Sequence, residues 1–182
     1  MKPLNIAAFV WGVAEATLFF IVPDVILSYI GLKRGPRAAA ISSLYAAIGA
    51  AVGGSIMFLW SASDPDAARA AVLAAPAISE AMVTSARDSM GTHNWFNATL
   101  VGPLSSTPFK VYAIWAPWAG ASLPAFALAS IAARLPRFLI VSVGTALIGR
   151  ALSRWLSERQ LTWVLIGAWL LFYAAFFALM PN

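Results

Sequence analysis

Residues 95–119 read WFNATLVGPLSSTPFKVYAIWAPWA, and this stretch decides the fold. Both of its ends are apolar, but its centre, from Gly102 to Lys110, carries two prolines, a Ser-Ser-Thr run and a lysine. A simple spanning helix would not place such residues at the middle of a bilayer. Ten helical residues cover about 15 Å, which is half of the roughly 30 Å hydrocarbon thickness. The stretch therefore predicts a re-entrant hairpin that enters the membrane and returns to the same face.

Residues 4–32 repeat this layout, with Glu15 in the first arm and Pro23-Asp24 at the centre. They predict a second re-entrant hairpin. Non-helical backbone at that depth is tolerated only where it is buried in protein or lines a wet cavity, so we expect the two hairpins to meet. The residues expected to shape the two turns, or to satisfy their backbone groups, are Pro23, Pro108, Ser105, Ser106 and Thr107.

The composition is that of a membrane protein. Of the 182 residues, 61% are hydrophobic and 10% charged, whereas soluble domains contain about 45–50% apolar and about 25% charged residues. The length fits a single domain over 1–182, and the fold class is an all-α integral membrane protein with two opposed hairpins and about three spanning helices. The expected segments are a hairpin at 4–32, a spanning helix at 38–60, an amphipathic surface segment at 61–92, a hairpin at 95–119, and spanning helices at 121–149 and 161–180.

The basic residues indicate how these segments are oriented. If both hairpins return to the face they entered, two basic clusters, within 33–37 and 150–159, lie on the same side of the membrane. The positive-inside rule places that side in the cytoplasm. Two complete spans in place of the hairpins would give the same parity, so the charge pattern leaves both arrangements open. With hairpins, the result is an inverted repeat, the arrangement that places a transporter's binding site at mid-membrane.

Charged residues of both signs lie inside the apolar stretches. They are Glu15, Asp24, Lys110, Arg134 and Arg137. Each costs at least about 2.5–3.5 kcal/mol at the bilayer centre, so we expect them to pair or to face water. Arg134 and Arg137 share a helix face, and Pro136 between them predicts a kink. Together the five predict a polar chamber with two carboxylates opposite three cations, whose surplus positive charge suits a phosphate.

Alternative interpretations remain open for these residues. Arg134, Arg137 and Lys110 would also be compatible with positions near an interface, where long basic side chains reach lipid head groups. The carboxylates would either hold the empty site together or carry a proton. The net charge of +5 favours lipid head groups as partners over nucleic acid, because the bases lie beside or inside apolar runs. A homo-oligomer is compatible with the sequence.

Nothing in the sequence indicates an enzyme, a cofactor or a metal site. There are no cysteines, and the single histidine, His93, has no partner at metal-ligand spacing. The motifs GxSxG, HExxH and GxGxxG and the P-loop do not occur.

Two stretches resemble the DedA family, also called the VTT or SNARE-associated Golgi protein family, and in particular its short YqaA-like members. One is GVAEATLFFIVPDVILSYIGL, at 12–32, which is similar to the family's Glu followed by Pro-acid. The other runs from GPLSSTPFKVYAIWAPWAG, at 102–120, through ASIAARLPRFLIVSVGTALIGR, at 129–150. It resembles the Pro-x-Lys/Arg element of the second hairpin and the arginine-bearing helix that follows.

The resemblance implies a multi-pass protein of the bacterial inner membrane that translocates an anionic lipid head group, of undecaprenyl phosphate or a phospholipid. Glu15 and Asp24 match the family's acidic positions, Lys110 and Arg137 its basic ones, and Arg134 matches more loosely. In this hypothesis the three cations hold the phosphate, and the two carboxylates gate the site or couple protons. A proton-coupled transporter of a small solute and a non-transporting membrane protein, whose charges only assemble helices, are the alternatives.

Overall fold

A computed structural model describes residues 2–102 and 107–179, and all regular structure in these ranges is helical. The helices are α1 (Lys2–Ala16), α2 (Asp24–Arg34), α3 (Pro36–Ser63), α4 (Pro65–Leu73), α5 (Glu80–Val101), α6 (Phe109–Trp115), α7 (Leu123–Leu152) and α8 (Glu158–Leu179).

Three of these helices, α3, α7 and α8, are long and apolar enough to cross a membrane. They correspond to the predicted spanning segments 38–60, 121–149 and 161–180. The chain is therefore an all-helical, membrane-associated protein, as its composition predicts. Pro136 does not end α7, which runs on to Leu152.

The centre of the molecule is the antiparallel pair α3 and α7. Near one end of the pair, the hydroxyls of Ser43 and Ser142 are 2.8 Å apart. Near the other end, Gly54 faces the rings of Phe109 and Phe126. Small residues such as Ser43, Gly54 and Ser142 let the helix backbones approach closely. Helices pack in this way in a membrane, where there is no hydrophobic driving force between them.

Helices α1 and α2 form a hairpin against this pair. A Cβ atom on Gly49 would overlap the carbonyl oxygen of Phe9, and one on Gly53 would contact Val13, so α1 runs parallel to α3. Gly31 lies equally close to Ser142, and α2 runs parallel to α7. Because α3 and α7 are antiparallel, α1 and α2 are antiparallel too, and the break between them lies level with Gly53.

Helices α5 and α6 approach from the other end of α3. Ser61 donates a hydrogen bond to the carbonyl of Ile114 at 2.6 Å, while Gly54 faces Phe109, so α6 runs parallel to α3. The Trp115 indole donates to the carbonyl of Val83, which places the start of α5 beside the end of α6. The start of α6 thus lies level with Gly54, and the described end of the α5–α6 break, at Thr107 and Pro108, is next to the α1–α2 break.

One helix, α5, runs across the predicted boundary between an amphipathic surface segment at 61–92 and a hairpin beginning at 95. Helix α5 is continuous from Glu80 to Val101, with Ser79 accepting a hydrogen bond from the Met82 amide at its start. Its apolar side is buried in the core instead of lying on a surface, as the burial of Val83, Ala86 and Met90 shows. The alanines between charged residues in this segment are typical of a surface helix, but packing against α6 buries one side of α5.

Helix α8 stands apart, and among the described helices it packs mainly against α2. Of its residues only Leu161 is buried. Three polar contacts fasten it along its length: Lys33 to Glu158 at 2.8 Å, the Trp169 indole to Ser28 at 2.9 Å, and the Val22 amide to the Tyr173 hydroxyl at 2.9 Å.

Candidate functional site

The two breaks bring a buried ion pair to the middle of the molecule. Glu15 lies in the last turn of α1 and bonds to Arg134 in α7. Both residues are buried, at 4% and 3% exposure. Arg134 is about 17 Å from the start of α7 at 1.5 Å per residue, so it lies deep within a candidate span. The Arg134 side chain is therefore enclosed by the protein and bonded to Glu15.

Aromatic rings enclose the Arg134 guanidinium. Its carbon lies 5.4 Å from the ring centre of Phe109 and 5.1 Å from that of Phe138. A desolvated cation over such rings gains about 2 kcal/mol. Arg134 is therefore held by a carboxylate on one side and by rings from α6 and α7. The Arg134 Nε has no hydrogen-bond partner among the described residues.

A second ion pair lies beside the first. Asp24 is the first residue of α2, where the helix dipole favours a negative charge, and it is 1% exposed. The Arg137 Nη2 atom lies 3.0 Å from the Asp24 Oδ2 atom. Within the described part of the chain, neither Asp24 oxygen accepts a hydrogen bond of good geometry. The Arg137 side chain is 40% exposed, so this pair is far more open than the first.

Lys110 is the third cation, and it joins the two breaks. It is 2% exposed, and its ammonium donates a hydrogen bond to the carbonyl of Phe19 at 2.7 Å. Phe19 belongs to the break between α1 and α2, whereas Lys110 belongs to α6. In residues 2–102 and 107–179 no carboxylate lies within 4.0 Å of the Lys110 ammonium. An ammonium carries three donors, so the carbonyl leaves it with capacity for a further acceptor.

These groups border a cavity of about 360 Å³. Its walls come from both breaks, from α7 and from α8. The lining residues are Glu15, Phe20, Val22, Pro76, Ala77, Ile78, Thr107, Pro108, Phe109, Lys110, Arg134, Arg137, Phe172, Tyr173 and Phe176. The cavity therefore has a cationic side, formed by Lys110 and the two arginines, and an aromatic side, formed by α8.

The five charged residues singled out from the sequence lie together in the structure. Four of them line the cavity, and Asp24 lies behind Arg137. Of the expected turn residues, Pro23 and Pro108 immediately precede α2 and α6. Thr107 is buried and lines the cavity, whereas Ser105 and Ser106 lie outside the described residues.

Sequence reasoning missed the aromatic and loop walls. Tyr173 and its neighbours on α8 look like ordinary spanning-helix residues, and no local signal distinguishes them. In the loop wall, Ala77 has a positive φ of 62°. A non-glycine residue adopts such an angle only at a cost of about 1–3 kcal/mol. The strain marks the loop before α5 as a shaped wall of the cavity.

The site has no set of ligands for a metal: across the described ranges, no group of three or more His, Asp and Glu residues is close enough to bind one. Comparison of the chain with protein-family models, with curated proteins and with solved structures finds no match.

Proposed function

We propose that the protein translocates an anionic lipid head group across the bacterial inner membrane, with the phosphate passing through the cavity between the two helix breaks. In this proposal the breaks are the tips of two re-entrant hairpins that enter from opposite faces, in an inverted repeat. The hydrocarbon part of the lipid does not pass through this charged cavity.

The observation that carries the proposal is the charge balance of the cavity. Glu15 and Arg134 neutralise each other, as do Asp24 and Arg137, and Lys110 is left without a carboxylate partner among the described residues. Two carboxylates thus face three cations, and a bound anion would neutralise the surplus positive charge of this buried site. Arg137, which is partly exposed in the cavity wall, supplies a forked donor of the kind that binds phosphate oxygens.

The position of the charges also supports a translocation site. A head group that crosses a bilayer meets its largest barrier at the centre of the hydrocarbon. The cavity lies level with Gly53 and Gly54, within a candidate span. Fixed cations at that depth replace part of the water that the phosphate loses, which lowers the barrier to crossing.

The test uses the full chain in phosphatidylcholine vesicles that contain a fluorescent phosphatidic acid labelled on one acyl chain. A membrane-impermeant reductant quenches the outer leaflet, so loss of the protected inner fraction reports translocation. Wild type is compared with Lys110→Met, Lys110→Arg and the exposed-site control Arg154→Met, with insertion checked for each. A charged contact to a phosphate contributes about 1.5–3 kcal/mol, so we expect Lys110→Met to lower the rate at least tenfold and Arg154→Met to leave it unchanged.

A non-transporting protein is the second candidate, and the ion pairs favour it. Glu15 and Arg134 are buried and matched one to one, as expected if charges only fix how the helices assemble. That function predicts no translocation by wild type and a loss of folding, not of transport, in the charge variants. Wild-type vesicles that move no phosphorylated lipid would contradict the translocase, and uptake of a small anion in the same vesicles would point to a solute transporter.

A further inference from the structure

A second concavity lies between the α1–α2 hairpin and α8. It is an apolar groove of about 420 Å³. Trp11, Val25 and Tyr29 form one wall, and Ile166, Trp169 and Leu170 form the other. Leu170 is 68% exposed, so the outer edge of the groove is open to the surroundings.

Three polar groups at the groove, on Trp11, Trp169 and Tyr173, form hydrogen bonds within the protein. The Trp11 indole donates to the carbonyl of Ile21 at 2.9 Å, and the Trp169 indole donates to Ser28 at 2.9 Å. The Tyr173 hydroxyl accepts the Val22 amide. Because these groups bond to the protein itself, the groove offers an occupant an apolar surface and no polar recognition.

The groove and the charged cavity share a residue. Tyr173 lines both, with its ring between them and its hydroxyl fixed to the α1–α2 break. From Tyr173 the groove follows α8 back to Leu165, a distance of about 12 Å at 1.5 Å per residue. A molecule with a charged end in the cavity and an apolar end in the groove would therefore bend once, around Tyr173.

We propose that this groove is the binding site for a hydrocarbon chain of the lipid whose phosphate occupies the cavity. The inference rests on the proposed function, because it assigns the tail of the same substrate. The groove orients the lipid and holds it while the head group moves. Its contribution comes from contact between close-packed atoms, since a chain that leaves the bilayer for the groove gains no hydrophobic free energy.

The test maps where the chain lies. The full protein is reconstituted in phosphatidylcholine vesicles that contain phosphatidic acid with a photoreactive diazirine midway along one acyl chain. After irradiation, labelled peptides are identified by mass spectrometry. We expect the label to concentrate on groove residues such as Tyr29 and Ile166 and to fall when unlabelled phosphatidic acid is added in excess. Label spread over exposed residues outside the groove, such as Leu128 and Ile140, in proportion to their exposure would overturn the proposal.

Two matched variants and a second probe sharpen the result. Val25→Trp fills the groove, whereas Ile140→Trp adds the same ring to an exposed part of α7. We expect roughly tenfold less groove labelling in Val25→Trp, equivalent to about 1.4 kcal/mol, and no change in Ile140→Trp. A phosphatidylcholine probe with the same diazirine chain should label the groove less than the phosphatidic acid probe. Equal labelling by both would overturn the link between groove and cavity.

The mapping also separates this inference from the proposed function. If wild type translocates the labelled lipid but the groove is not labelled selectively, the groove assignment fails and the translocase stands. If the groove is labelled saturably, with preference for the phosphatidic acid probe, but no translocation occurs, the lipid site stands and the translocase fails.

Discussion

The sharpest prediction concerns the buried pair of Glu15 and Arg134. Replacing Arg134 with methionine leaves the Glu15 carboxylate in a site where it is 4% exposed, with no cation bonded to it. Breaking a buried pair in this way costs about 3–5 kcal/mol, because the remaining charge is neither paired nor hydrated. Glu15→Met strands the guanidinium in the same way, so we expect a loss of similar size.

The double variant should recover most of that loss. With methionine at both positions no charge is left unpaired, and replacing a buried pair by apolar side chains of similar volume is often neutral or stabilising. The contacts of Arg134 with the rings of Phe109 and Phe138 are lost in the single arginine variant and in the double variant alike. They therefore cancel in the coupling energy of a double-mutant cycle.

The measurement is thermal unfolding in a mild detergent, followed by tryptophan fluorescence. For a chain of this size each kcal/mol shifts Tm by roughly 2–4 °C, so each single variant should unfold about 6–20 °C below wild type. The double variant should unfold above both singles. If the two single losses simply add in the double variant, Glu15 and Arg134 are not coupled. The description of these two residues as a neutral pair beside the surplus cation Lys110 is then refuted.

Four further variants test neighbouring parts of the structure. Gly49→Ala should lower the free energy of unfolding by about 1–3 kcal/mol, because its Cβ would overlap the Phe9 carbonyl. Gly144→Ala, with no atom within 4 Å of its Cβ, should raise it by about 0.5–1 kcal/mol. The measurement is the Tm of each variant. Tyr173→Phe should leave the Val22 amide without its partner and speed hydrogen exchange there, at a cost of about 1–3 kcal/mol. An unchanged exchange rate would show that α8 does not fasten the break. Asp24→Asn should change stability by about 1 kcal/mol or less, since Arg137 is 40% exposed and stays hydrated. A loss as large as that of Glu15→Met would contradict the difference between the Asp24–Arg137 pair and the Glu15–Arg134 pair.

Much of the site was predictable because charge in an apolar stretch is rare and expensive. Glu15, Asp24, Lys110, Arg134 and Arg137 stand out from their neighbours without any knowledge of the fold. The breaks were equally visible, since Pro23 and Pro108 lie beside polar residues in otherwise apolar runs. Which carboxylate pairs with which arginine was not predictable, because pairing depends on the register of α1 and α2 against α7.

The errors have a common physical cause. The charged residues Glu80, Arg87 and Asp88 gave the sequence of α5 the character of a surface helix, yet its apolar side packs into the core, where α6 is a neighbour close along the chain. The wall formed by Phe172, Tyr173 and Phe176 was missed for the converse reason, because aromatic residues in a spanning helix are ordinarily lipid-facing. In both cases the environment of the helix depends on a neighbour that only the tertiary structure shows.

Arg134 and Arg137, three residues apart, differ in burial and in the number of their contacts. Arg134 is buried, bonded to Glu15 and enclosed by two rings, so moving its guanidinium would break several contacts at once. Arg137 has one partner and a side chain that is 40% exposed, so fewer contacts hold it in place when a phosphate competes with Asp24. A phosphate that draws Arg137 away would leave the Asp24 carboxylate buried and unpaired, which favours the return of the arginine once the phosphate leaves. In the proposed translocase, Arg134 would fix the geometry of the site, Lys110 would supply the standing positive charge, and Asp24 with Arg137 would form the part that moves.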